Sequence, residues 1–208
     1  GGAPNSADDD AVAALLRRAA SPSDTLALAR NYAQHGVYVL HGDADDNVPV
    51  REARAMRAVL GGFHTDFAYY ERPGAGHWWG DACVDWPPLM AFLRERTRPA
   101  VRDLRRIAFA TASPGVSARC DWLVTHNQRR PLLTSTVDAA LDVAARRFTL
   151  TTENVARLML DLAALRSAPG EDGAVADGLP ADGPLHVVVD GVTLENIAWP
   201  DDGRLWLV

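Results

Sequence analysis

Two short stretches of this chain hold residue types that can do chemistry together. The first, His41-Gly42-Asp43-Ala44-Asp45-Asp46-Asn47-Val48-Pro49, places three carboxylates within four residues. The second, Glu71-Arg72-Pro73-Gly74-Ala75-Gly76-His77-Trp78-Trp79, brings an imidazole 32 positions after Asp45. A carboxylate that accepts a hydrogen bond from an imidazole fixes its tautomer and stabilises the imidazolium formed when the ring takes a proton. Gly74 and Gly76 let the backbone bend sharply and turn His77 inward. Each stretch has a plainer reading too. Alone, the acidic loop is a solvated turn that caps the next helix, and His77 is a partly buried histidine packed by its tryptophans. The oxygens of Asp43, Asp45 and Asp46 suit Ca²⁺, but their spacing does not continue into a calcium loop, so no metal is expected.

The elements before these loops must position them. Gly36 releases the chain into Val37-Tyr38-Val39-Leu40, an apolar run of the kind buried on both faces of a sheet. A helix from about Val50 to Leu60 follows, with Ala53, Met56, Val59 and Leu60 inward and Arg51, Arg54 and Arg57 outward, ended by Gly61-Gly62. A second strand spans His64 to Glu71. After the loop Arg72 to Asp85 comes a helix with Leu89, Phe92 and Leu93 inward and Asp85 as its cap. Upstream, a helix over Asp10–Ala19 aligns Val12, Leu15 and Leu16, and a second helix runs from Ser23 or Asp24 to about His35. Helix, strand, helix, strand, helix predicts a parallel sheet. Both loops then leave the carboxyl ends of strands roughly 4.8 Å apart, close enough to touch. Two parallel strands do not make a stable doubly wound domain, so something outside this chain is expected to complete the sheet.

Near Arg98-Pro99 the texture changes. Alternating runs at Arg105–Thr111, Cys120–Val124 and Arg147–Thr151 read as strands; Ala156–Leu162 fits a strand or a helix. Asp190-Gly191 between Leu185–Val189 and Val192–Leu194 is a strong two-residue hairpin signal. Ile197–Trp199 and Arg204–Leu207 flank a second turn, Pro200-Asp201-Asp202-Gly203. Many short strands favour an antiparallel sandwich. The segment Ser167–Gly183 reads as a loop or mobile insertion.

Composition excludes several classes. The 208 residues include 27 acidic and 21 basic ones, every base an Arg, for a net charge of -6. Phosphate-rich partners would repel such a chain, so neither a nucleic-acid nor an anionic-membrane partner is expected. Its apolar runs fall far short of the roughly 20 residues of a membrane span. No signal peptide opens the sequence, and Gly1–Ser6 reads as a loop or a cut edge. A longer precursor with a signal peptide would be secreted or periplasmic. Cys83 and Cys120 suit one disulfide or two thiols, and neither sits at metal-ligand spacing.

The two loops also carry a family resemblance. His41-Gly42-x-x-Asp45-x-x-Val48-Pro49, followed by a helix, a strand and Gly74-x-Gly76-His77, resembles the closing segment of an α/β-hydrolase of the prolyl oligopeptidase family of serine peptidases. The resemblance is specific over about residues 24–97 and loose over 99–208. It implies Asp45 as the acid of a catalytic triad and His77 as the base, with no cofactor, and leaves Asp43 and Asp46 solvent-facing or capping. Trp78, Trp79 and Asp85-Trp86-Pro87 resemble a bacterial branch with a further β-rich region. The fold expected is α/β: residues 1–98 as the C-terminal portion of an α/β-hydrolase parallel sheet, then residues 99–208 as a smaller antiparallel β-sandwich-like domain.

The family's Gly-x-Ser-x-Gly elbow is absent. Ser117 lies after the base and lacks the second Gly, and Ser6, Ser21 and Ser23 lie in no elbow. The expectation is therefore a fragment or subunit of a serine hydrolase. Its partner is an N-terminal part carrying the Ser, and its substrates are peptides or esters. The rival expectation is a non-catalytic binding or assembly module behind a decayed hydrolase remnant.

Overall fold

A computed structural model describes residues 6–166 and 178–208. The chain divides into two compact units: Leu26–Arg98, and Pro99–Val208 together with the residues up to Thr25. Helix α1 (Ser6–Ala20) comes first, and its Val12, Leu15 and Leu16 stripe is exposed. The helix expected to reach His35 is reduced to a 3₁₀ segment, Ala29–Gln34.

In the Leu26–Arg98 unit, β1 (Val37–Gly42), α2 (Val50–Gly61), β2 (Phe67–Arg72) and α3 (Pro87–Arg94) follow in order. Strands β1 and β2 pair in parallel, Val37 opposite Phe67 through Gly42 opposite Arg72. Trp86, rather than Asp85, occupies the N-cap position of α3, with prolines in the first turn. Two polar clasps hold the unit. The Arg96 guanidinium donates to both oxygens of Asp66, at 2.8 and 2.6 Å, fixing the end of α3 to the start of β2. His64 accepts the Asp66 N–H through Nδ1, so its Nε2–H donates to the carbonyls of Tyr32 and His35.

The second unit holds β3 (Arg106–Thr111), β4 (Arg119–Cys120), β5 (Leu123–Gln128), β6 (Ser135–Asp142), β7 (Arg147–Glu153), β8 (Val155–Asp161), β9 (Leu185–Val189), β10 (Val192–Ile197) and β11 (Arg204–Leu207). Five of these form one sheet in the order β10-β9-β7-β6-β3, and four form another, β11-β8-β5-β4. Inward side chains of both sheets share one core: Ile107, Phe109, Val137, Phe148 and Val187 from the first, Leu123, Leu158, Leu160 and Leu207 from the second. Trp122 is fully buried against Phe148, and its indole N–H donates to the Leu104 carbonyl at 3.0 Å. Asp190 and Gly191, both at positive φ (49° and 83°), form the β9–β10 turn.

The expected fold class is corrected here. The chain is mainly β, and no α/β-hydrolase parallel sheet is present among the described residues. Parallel pairing in the first unit is confined to β1 and β2. The β-rich unit is the larger of the two, not the smaller, and its five-stranded sheet is mixed, because β7 and β9 run parallel. The local helix–strand alternation is real, but two strands cannot outweigh the nine that follow. The second hairpin also differs: β11 pairs with β8, so the turn Pro200–Gly203 carries the chain from one sheet to the other. Of the insertion Ser167–Gly183, residues 167–177 lie outside the described residues, as do Gly1–Asn5.

Candidate active site

The parallel register sets His41 opposite Glu71 and Gly42 opposite Arg72, so the two loops of interest leave the same end of the sheet. Their backbones are stitched together there. The Asp43 N–H donates to the Arg72 carbonyl at 3.1 Å, and the Ala44 N–H to the Ala75 carbonyl at 2.9 Å. A side chain on Gly42 could not fit, since a Cβ there would sit 2.4 Å from the carbonyl oxygens of both Ala75 and Gly76. Gly74 has φ +67°, a value that favours glycine. Gly76 is not at positive φ and has open space beside it, so the sharp bend rests on Gly74.

Asp45 and His77 meet. His77 Nδ1 lies 2.9 Å from Asp45 Oδ2, while Asp45 Oδ1 accepts the N–H groups of Asn47 at 2.9 Å and Val48 at 2.8 Å. The Asp45 side chain is only 4% exposed and that of His77 is 52% exposed. Burial disfavours the Asp45 charge, but the Val48 amide, the His77 imidazole and the Asn47 amide together outweigh it and hold the carboxyl below the usual carboxylate range. An ionised Asp45 can only accept, so the proton between the two sits on His77 Nδ1. Nε2 is then the basic nitrogen, and among the described residues it has no hydrogen-bond partner. An imidazole held in this way can accept a proton at Nε2 from a hydroxyl presented to it.

Two residues matter more than their sequence positions suggest. His41 Nε2 lies 2.9 Å from the Val48 carbonyl, to which it donates, and 3.5 Å from Asp45 Oδ2, the same oxygen that meets His77. Its place at the head of the acidic loop was the available signal. Asp43, expected to face solvent or cap, is exposed but also accepts the Gly74 N–H at 2.6 Å. Asp46 is exposed. Among the described residues no three metal-ligating side chains cluster.

The pair lines a cleft of about 570 Å³ whose other walls include Tyr38, Leu40, Val48, Trp78, Trp79 and Leu89. Trp78 is 65% exposed and Trp79 half-buried, with the Arg72 guanidinium 5.6 Å from the Trp79 ring centre. Behind the cleft, Arg54 of α2 grips Glu71 at the end of β2 through two hydrogen bonds of 2.9 and 2.7 Å, and the Tyr69 hydroxyl donates to the same carboxylate. Arg54 first, then Tyr69, lower the Glu71 carboxyl to about 2. Cys83, also in the cleft wall, donates to the Gly80 carbonyl, and it forms no disulfide with Cys120.

No protein-family model matches the chain, and no solved structure matches it. An uncharacterized secreted protein of Arthroderma benhamiae is 29% identical over 188 residues, which cover 88% of this chain. The chain spans only 18% of that relative's length. Among the described residues no helix is long and apolar enough to cross a membrane.

Proposed function

We propose that Asp45 and His77 are the acid and base of a serine hydrolase centre of the prolyl oligopeptidase type, whose Ser nucleophile is carried on polypeptide outside this chain. The reading rests on two loops and not on the fold. The observation that carries it is the 2.9 Å contact between His77 Nδ1 and an Asp45 carboxylate whose other oxygen is saturated by two backbone amides. In the completed centre, His77 Nε2 takes the proton of the attacking Ser and returns it to the leaving amine or alcohol. Asp45 holds the ring and stabilises the imidazolium, and backbone donors on the other part stabilise the oxyanion. Substrates are peptides or esters, and the aromatic cleft beside His77 supports an apolar group next to the scissile bond. Likeness to part of a much longer secreted protein supports a secreted polypeptide larger than this chain.

The test is labelling with a serine-reactive fluorophosphonate together with turnover of an ester reporter. The chain alone is expected to show neither. Combined with the polypeptide encoded immediately upstream, it is expected to give one labelled serine. His77→Ala abolishes turnover in that complex, and Asp45→Asn lowers it about 10⁴-fold. Turnover by the pure chain would sink the reading. So would a complex that stays active with His77→Ala, which would leave the pair a structural hub of a binding or assembly module.

A further inference from the structure

We infer that Asp43 is a positioning residue: its carboxylate selects the form of the Arg72–Ala75 turn that delivers His77 to Asp45. Pro73 and Gly74 are the central residues of this turn, which the Ala75 N–H closes on the Arg72 carbonyl at 3.4 Å. Proline first and a glycine at φ +67° second is the type II form. Type I and type II turns differ by a flip of the peptide plane between the two central residues, and Pro73 tolerates both. The flip reverses the direction of the Gly74 N–H. In the observed form that N–H donates to Asp43 Oδ1 at 2.6 Å, a short, charge-assisted bond between a carboxylate and a backbone amide. Flipping the plane breaks it and leaves the turn to its intrinsic preferences.

The turn has leverage on the base because little slack separates them. Ala75 is fixed by its carbonyl, which accepts the Ala44 N–H, and by the close approach of its backbone to Gly42. His77 follows two residues later. The acid loop thus does two things from neighbouring positions: Asp45 orients the imidazole, and Asp43 orients the turn that brings it. Asp43 touches neither the imidazole nor the cleft, so its effect runs through Gly74.

In catalytic terms the inference rests on the hydrolase reading, but its test does not. In the 208-residue chain, ¹⁵N and proton NMR follow the downfield Nδ1–H signal of His77 and the exchange of the Gly74 amide. Asp43→Ala should speed Gly74 amide exchange at least about tenfold, the equivalent of one lost charge-assisted hydrogen bond, and broaden or remove the His77 signal. Asp43→Asn keeps an acceptor oxygen and should restore both, whereas Asp46→Ala should change neither. If Asp43→Ala does not fold, slow Gly74 exchange in the Asn variant and wild type, with loss in Asp43→Ser, carries the same information. Unchanged Gly74 exchange and an unchanged His77 signal in a folded Asp43→Ala chain would overturn the inference and leave the hydrolase reading standing. The expected NMR changes in Asp43→Ala, together with no activity in the completed wild-type complex, would sink the hydrolase reading and leave the inference standing.

Discussion

Among the carboxylates of the Leu26–Arg98 unit, Asp45 and Glu71 are held more acidic than usual by hydrogen bonds made only in the folded chain. Asp45 has two amides and an imidazole; Glu71 has the Arg54 fork and the Tyr69 hydroxyl. Both have folded-state values below their ordinary ones, and Glu71 falls from 4.5 to about 2. The sign follows from proton binding: the unfolded chain takes up protons first as pH falls, so each group stabilises the fold above its unfolded value. That contribution is lost as pH falls toward the folded value. For Glu71 the window runs from about pH 4.5 down to about 2. Glu71→Gln should therefore flatten the acid limb of a stability–pH curve measured by urea unfolding and lower stability at neutral pH. A variant that unfolds with the same pH slope as wild type would show that Arg54 and Tyr69 do not hold that charge.

At the scale of elements, the site depends on how closely two strand ends approach. Gly42 closes β1 where a Cβ would meet the backbone oxygens of Ala75 and Gly76, and backbone cannot rotate aside as a side chain can. Gly42→Ala should cost about 1–3 kcal/mol in urea unfolding, the range for forcing atoms into a filled space. It should also separate His77 from Asp45, visible as loss of the His77 Nδ1–H signal. A neutral substitution would mean that the loops are not clamped at this point. The same elements show what could be read from the residues. Alternation placed β3 and β7, and Asp190-Gly191 marked the β9–β10 hairpin, because large inward side chains and a positive-φ turn leave plain local traces. Strand β6 left little trace, since Ser135 and Ala139 supply half of its inward face and look no different from loop residues. The β11 pairing was illegible for another reason: whether a strand folds back on its neighbour or crosses to the facing sheet is decided by the core, not by the turn. His77 could be chosen because residue type and order carry its chemistry, whereas Asp45 was singled out from three loop carboxylates by the resemblance of its loop to the prolyl oligopeptidase pattern. The contribution of Asp43 could not, because a hydrogen bond to a backbone amide has no sequence signature.

At the scale of the whole chain, the two units differ in how completely they bury their own strands. The β-rich unit encloses Trp122, Leu123, Val137, Phe148, Leu160, Leu185 and Val187 with no exposed surface. In the other unit every residue of β1 and β2 except Gly42 is only half-buried, and Leu60 of α2 is its one large side chain among the fully buried ones. Local stability follows burial of apolar contacts around the hydrogen bonds. Amide hydrogen exchange of the isolated chain should therefore protect β6, β7 and β8 more strongly than β1 and β2. The hydrolase reading adds a second expectation. Binding of the Ser-bearing polypeptide stabilises only the surfaces it covers, so protection in β1 and β2 should rise on complex formation while that in β6 and β7 stays as it was. Equal protection of both units in the isolated chain would show that the first unit is self-sufficient as it stands. A rise confined to the β-rich unit would place the partner there and detach it from the Asp45–His77 pair.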